Sequence, residues 1–320
     1  VENNNLPINS AFHPDIPGLQ VAWDSTSIGA FKTCPRKYQL SIIEGWNPRS
    51  LSVHLVFGQH YHKALERYDH SRSAGRDHEQ STIDAVRQAL SDSWEILPDG
   101  RGRPWMSDDP LKNRETLVRT VVWYLEEFAD DSAKTIQLAN GKPAVELSFR
   151  FETDYFLSDG TPFLLCGHLD RLAELGDDTY VFDRKTTKNT LSESFFEGFS
   201  PNNQFSLYTL AAQVVYNTNV AGLYVDGAQI AVGFSRFQRA MSPRHHSQIE
   251  EWYKDFGLML QLAQFYAAQQ YWPMNDTACG NYGGCQFRGI CSKVPGVREA
   301  YLKGSFTRRV WDPLSVRGDI

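Results

Sequence analysis

The sequence predicts an α/β (α+β) fold with a central mixed β-sheet flanked by helices, and three observations carry that expectation. Residues 164–188 read as two strands rich in β-formers, joined at Gly176-Asp177, a pair suited to a two-residue hairpin loop. Residues 144–157 alternate through Val145, Leu147, Phe149 and Phe151, and residues 223–239 alternate again around Gln229–Arg236. Helical periodicity appears in 82–97 (Ile83, Val86, Leu90, Trp94), in 113–131 (Leu117, Val121, Tyr124, Leu125, Phe128) and in 247–271 (Ile249, Trp252, Phe256, Leu260).

The chain has 320 residues and 41% hydrophobic content, enough for one large domain or for a core with a helical insertion. No run of about 18 apolar residues exists, so no membrane span is expected. The polar start VENNNLPINS does not resemble a secretory signal, and the expected location is cytoplasmic. Net charge is −6, which does not advertise a nucleic-acid binder, although Arg36, Lys37, Lys185 and Lys188 fall in basic clusters. Five cysteines without an export signal point to a reduced compartment and to metal rather than disulfides.

Taken in order, residues 1–24 read as an irregular, Asn- and Pro-rich segment. Residues 25–71 hold helices, with Ser25 or Ser27 as the first N-cap and Pro35 as an interruption. Residues 57–66 form a helix with Tyr61 and Leu65 inward and His62 one turn from Glu66. Residues 70–80 are polar and loop-like, and 72–140 make a helical insertion with a Gly/Pro loop at 98–104. Residues 141–245 form the sheet-bearing core, with a helix from Gln204 to about Asn217. Residues 246–320 hold a long helix, a Gly-rich segment with Cys279, Cys285 and Cys291, and a basic tail in which RGD is a chance tripeptide.

With Gly176-Asp177 as the hairpin loop, Asp170 lies opposite Asp183, and Lys185 points to the same face. Two carboxylates and an ammonium on one face are costly for a surface ornament. Carboxylate pairs hold hard divalent cations, and a nearby lysine steadies a nucleophilic water or a developing phosphorane charge. A one-residue slip would separate the two acids. His168 would share the Asp170 face, as would Cys166, which reads as packing. The three C-terminal cysteines are spaced C-x5-C-x5-C, and Cys34 is the preceding cysteine outside the sheet; four thiolates suit a [4Fe–4S] cluster or structural zinc.

Gly167-x-x-Asp170 followed by Asp183-x-Lys185 resembles the active-site hairpin of the PD-(D/E)XK nuclease superfamily. The segment SxxxxFxxCPRKYxL at Ser25, GxxxHxxLE at Gly58 and QxxxY at Gln204 resemble its RecB-like and AddB-like branch, as does one N-terminal Cys with a C-terminal triplet. CRISPR-adaptation and phage exonucleases are similar. The resemblance implies a restriction-endonuclease-like sheet and a C-terminal Cys-rich cluster segment. It implies a [4Fe–4S] cluster on Cys34, Cys279, Cys285 and Cys291, although the x5 spacing departs from the usual triplet. It also implies Mg²⁺ or Mn²⁺ on His62, Asp170, Asp183 and the Arg184 carbonyl. Lys185 would activate water, Gln204 and Tyr208 would support it, and Arg36, Lys37 and Lys188 would contact substrate.

The expected activity is metal-dependent DNA hydrolysis, exonucleolytic, on single-stranded DNA or single-stranded ends, in recombination, repair or phage DNA metabolism. A helicase or recombination partner fits that role, since no Walker A motif is present. The alternatives are a nuclease-fold iron–sulfur DNA-binding protein or recombination scaffold without independent activity, and a structural zinc protein.

Overall fold

The structure is a computed structural model, and residues 10–50, 52–97 and 99–315 are described; the RGD tripeptide at 317–319 lies outside them. The chain divides into two compact units. The first comprises residues 1–50, 149–167 and 246–316, and the second comprises 51–148, 168–245 and 317–320.

In the first unit, the short strand Ala22–Trp23 pairs in parallel with Leu164–Leu165. The helix Ser25–Thr33 follows, and its N-cap is Asp24 rather than either serine, because the Asp24 carboxylate accepts from the Ser27 N–H at 2.9 Å. Pro35 opens a second short helix, Pro35–Tyr38, where a missing N–H costs nothing. Trp23 stacks on Tyr38 at 5.4 Å, and Phe31 meets both rings edge-on. The long helix His246–Gln269 buries Ile249, Trp252, Phe256 and Leu260. In the tail, Phe306–Arg308 pairs antiparallel with Trp46–Pro48, and Leu40, Trp46, Phe287, Ile290, Leu302 and Phe306 form a small apolar cluster. No distinct Cys-rich cluster segment is present among the described residues; Cys279 lies in a 3₁₀ turn at Asp276–Gly283, and Cys291 ends the short helix Arg288–Cys291.

The second unit holds a mixed sheet. Strand residues Arg171–Leu175 pair antiparallel with Asp178–Phe182, in the expected register, around a turn at Gly176, whose φ of +65° favours glycine. Thr179–Thr187 runs parallel to Val220–Gln229, and Leu223–Ile230 pairs antiparallel with Ser235–Ser242. The alternation expected through 229–236 stops at a turn over 231–234.

Helices flank this sheet because each face is apolar between its charged residues. Phe57, Tyr61 and Leu65 of the helix Val53–Ser73 pack with Ala85 and Ala89 of His78–Asp92, with Leu117, Val121 and Leu125 of Arg114–Glu127, and with Ala228 and Ile230 of the sheet. The helix Arg114–Glu127 starts cleanly, since Asn113 and Thr116 form a capping box. The helix Asn203–Val214 serves the other face.

The polar stretch 70–80 is mostly helical: one helix runs to Ser73 and the next begins at His78. Its polar side chains are structural, with Ser71 Oγ and Arg76 Nη1 donating to buried Asp84 at 2.7 and 2.6 Å. Likewise 99–104 belongs to a hairpin, in which Trp94–Ile96 pairs with Gly102–Pro104.

Candidate active site

The site is built within the second unit from two helices and three strands. His62 projects from the helix Val53–Ser73, Glu146 from the start of the strand Val145–Phe156, and Asp170 from the strand Pro162–Leu175. One ligand atom from each lies within 4.8 Å of the others, the one such group of three or more His, Cys, Asp or Glu residues among the described residues. His62 Nδ1 stands 3.4 Å from Asp170 Oδ2. Glu146 adopts φ +47°, a left-handed conformation that costs a non-glycine residue about 1–2 kcal/mol. Strain held at a potential ligand is a recognised mark of a functional position.

Asp183 and Lys185 lie on the adjacent strand, two apart and so on one face. Lys185 Nζ is 2.6 Å from Asp183 Oδ2 and donates to Gln204 Oε1 at 3.1 Å. Gln204 Nε2 donates to Tyr208 Oη at 2.8 Å, the link that a spacing of four on the helix Asn203–Val214 allows. Arg184 points the other way. Its guanidinium donates to Asp69 at 2.6 Å while its main-chain N–H donates to Asp170 Oδ2 at 2.8 Å. Asp69 sits two turns beyond His62, so Arg184 ties the His62 helix to the Asp183 strand.

The electrostatics of the cluster favour charge separation. Burial alone would lower the His62 imidazole, but Asp170 and Glu146 outweigh it and raise its pKa. Burial alone would raise Asp170, but His62, Lys185 and the Arg184 N–H hold it below the ordinary carboxylate range. Asp183 goes the opposite way: burial, with Asp170 close by, raises it to about 6 despite Lys185. Against burial, Asp183 and Asp170 raise Lys185, which keeps it an ammonium. Burial first, then the two aspartates, keep Tyr208 a phenol.

The donors present fit a hard divalent cation. Asp183 is fully buried and its Oδ1 has no hydrogen-bond partner, an expensive arrangement that a cation would relieve. Three carboxylates and one imidazole are an oxygen-rich set suited to Mg²⁺ or Mn²⁺, the nitrogen favouring Mn²⁺.

The other expected residues make contacts of their own. Lys188 Nζ pairs with Asp109 at 2.6 Å. His60 stands edge-on to Trp105 rather than among the acids, and His168 Nδ1 meets Ser148 Oγ at 3.0 Å. Arg36 and Lys37 belong to the first unit, where Arg36 donates to the Trp272 carbonyl at 2.8 Å.

The expectation of a [4Fe–4S] cluster is corrected. Cys34, Cys279 and Cys285 line a common cavity, but the four sulfurs of Cys34, Cys279, Cys285 and Cys291 do not gather into a ligand set among the described residues. Cys34 Sγ accepts from the Asn275 N–H at 3.3 Å, and Cys285 and Cys291 pack against the apolar cluster around Phe287. Burial pushes the Cys291 thiol up. Cys166 packs with Ala22 and Leu164.

Glu146 escaped the sequence reading. It stands between the alternating apolar residues Val145 and Leu147, off the face they define, and carries no motif, so no sequence signal marked it.

The mixed sheet thus carries an Asp-x-Lys pair on the strand next to the one that holds Asp170 of the carboxylate–histidine group. The family model of the PD-(D/E)XK nuclease superfamily matches residues 24–292, and the chain belongs to that superfamily. Among solved structures, the chain is similar to a candidate exonuclease from Eubacterium rectale, with 11% identity, TM-score 0.44, and 86% of this chain and 94% of that one covered. It is also similar to the protein SSO0001, with 10% identity, TM-score 0.27, and 65% and 85% covered. No curated protein matches the chain. Among the described residues no helix is long and apolar enough to cross a membrane.

Proposed function

We propose that this protein is a divalent-metal-dependent deoxyribonuclease that hydrolyses phosphodiester bonds, acting as an exonuclease on single-stranded DNA or single-stranded ends. The observation that carries the reading is the His62–Glu146–Asp170 group adjoining the chain Asp183–Lys185–Gln204–Tyr208. His62, Glu146, Asp170, Asp183 and the Arg184 carbonyl are the candidate holders of Mg²⁺ or Mn²⁺. A cation bound there would supply Lewis acidity toward a phosphate oxygen and would lower the pKa of bound water.

The chain's own residues do the rest. Lys185, held as an ammonium by its aspartates, orients the attacking water and stabilises charge on the pentacoordinate phosphate, rather than acting as base. Gln204 fixes the ammonium, and the Tyr208 phenol fixes the Gln204 amide, so both position Lys185. Arg36, Lys37 and Lys188 are proposed substrate contacts, and a helicase or recombination factor is the proposed partner. The test is cleavage of end-labelled single- and double-stranded DNA with Mg²⁺, Mn²⁺ or chelator. Metal-dependent products from wild type, with a ladder that grows from one end, support the reading; their absence under all conditions refutes it.

A further inference from the structure

Beside the site lies a buried lysine that the chemistry above does not use. Lys112 precedes the N-cap of the helix Arg114–Glu127 and is only 2% exposed. Its Nζ donates to Thr186 Oγ1 at 3.1 Å and approaches the Thr186 carbonyl oxygen at 3.4 Å, both neutral groups. It also sits over the Phe57 ring, 5.3 Å from the centroid. Thr186 follows Lys185 directly on its strand.

The acid that could neutralise Lys112 is engaged elsewhere. Asp109 Oδ2 pairs with Lys188 at 2.6 Å, and Asp109 Oδ1 accepts from the main-chain N–H groups of Leu111 and Lys112. Among the described residues no carboxylate oxygen lies within 4.0 Å of Lys112 Nζ. Buried charges are ordinarily paired, since an uncompensated one is costly. Burial and Lys188 pull Lys112 down to about 8, which leaves it mainly charged near neutral pH. The neighbouring His54 imidazole is also lowered, by burial and by Lys112 and Lys188.

We propose that Lys112, with Lys188 beside it, is a phosphate-binding site that takes a backbone phosphate flanking the one that is cut. The inference rests on the nuclease reading and deepens it. An incoming phosphate supplies the anion that the buried ammonium lacks, and the hydrogen bonds from Lys112 to Thr186 hold the ammonium in place before substrate arrives. A compact, directional donor of this sort favours a backbone contact without base preference.

The test is binding of a fluorescein-labelled single-stranded oligonucleotide in chelator, where hydrolysis does not interfere, read by anisotropy across a salt series. Wild type, Lys112→Met and Lys112→Arg are compared, with inorganic phosphate as competitor. Lys112→Met is expected to weaken binding about tenfold, the scale of one charged hydrogen bond, equally for different sequences. The slope of log affinity against log salt should fall by about 0.7. Lys112→Arg should keep most of the affinity. Thermal melting of Lys112→Met should occur at or above the wild-type temperature, because an uncompensated buried charge has gone. Inorganic phosphate alone should compete only weakly, since one phosphate lacks the rest of the strand.

Affinity and salt slope unchanged in Lys112→Met, with wild type still binding and cutting DNA, would overturn this inference alone. A lower melting temperature in both variants, with an unchanged salt slope, would make Lys112 a packing prop. Competition by inorganic phosphate as strong as by oligonucleotide would assign the site to the free anion. A wild type that neither binds nor cuts any DNA would overturn the nuclease reading, and this inference with it.

Discussion

The Arg184–Asp69 pair offers a direct test of how the site is held together. Arg184 and Asp69 side chains are 3% and 7% exposed, and their charged atoms are 2.6 Å apart. Replacing Arg184 by Met leaves the Asp69 carboxylate buried and unpaired, and Asp69→Asn leaves the guanidinium in the same state. Each single change is expected to cost about 3–5 kcal/mol, the usual loss when one member of a buried pair is removed. The double variant removes both charges, so it should cost clearly less than the sum. A coupling of about 2–3 kcal/mol follows, within the range for residues in one network. Urea unfolding of the four proteins, each without added metal, gives the cycle. Because Arg184 also donates its main-chain N–H to Asp170, and Asp69 shares a helix with His62, metal affinity should fall in the single variants beyond the loss of stability. Additive single and double variants, or singles that cost under about 1 kcal/mol, as exposed pairs do, would refute the argument that this pair fastens the helix to the strand.

Other predictions follow from the same geometry. Below pH about 6 Asp183 holds a proton, so the affinity for Mg²⁺ measured by calorimetry should fall as pH drops through that value, with proton uptake or release in two different buffers showing the linkage. The sign is fixed by the shift: a raised Asp183 favours the protonated apo protein at low pH, and its ionisation above about 6 removes stability that a cation restores. Glu146→Gly should relieve the left-handed strain and stabilise the metal-free protein by about 1 kcal/mol in thermal melts, while metal affinity drops. Gln204→Ala should lower kcat with little change in oligonucleotide affinity, since Gln204 acts through Lys185; an effect confined to KM would count against that role.

Much of the fold was legible because its signals are local. The hairpin loop at Gly176-Asp177 needs a residue tolerant of positive φ, and that requirement set the register that the structure shows. The spacing of Gln204 and Tyr208 put them one turn apart on one helix face, and there the Gln204 amide donates to Tyr208 Oη. Where the sequence misled, partners lay far along the chain. The stretch around Ser71 and Arg76 is polar because Asp84 of the neighbouring helix receives its hydrogen bonds, not because it is a loop. Asp24 outcompeted the serines as a cap because its side chain reaches the Ser27 N–H. Four cysteines suggested a cluster, yet their sulfurs meet main-chain groups and an apolar cluster instead. Glu146 and Lys112 were invisible for a related reason: each acquires its meaning from Asp170 or Thr186, which only the folded chain brings near.

The central claim is that the Asp183–Lys185 pair and the His62–Glu146–Asp170 group form one hydrolytic site. The most direct measurement is cleavage of end-labelled DNA by wild type and Lys185→Met, with Mg²⁺, Mn²⁺ or chelator, alongside melting curves of both proteins with and without metal. Metal-dependent products are expected from wild type and none from Lys185→Met, while metal still raises the melting temperature of both. Equal cleavage by a folded Lys185→Met, or wild-type cleavage that persists in chelator, would contradict the claim.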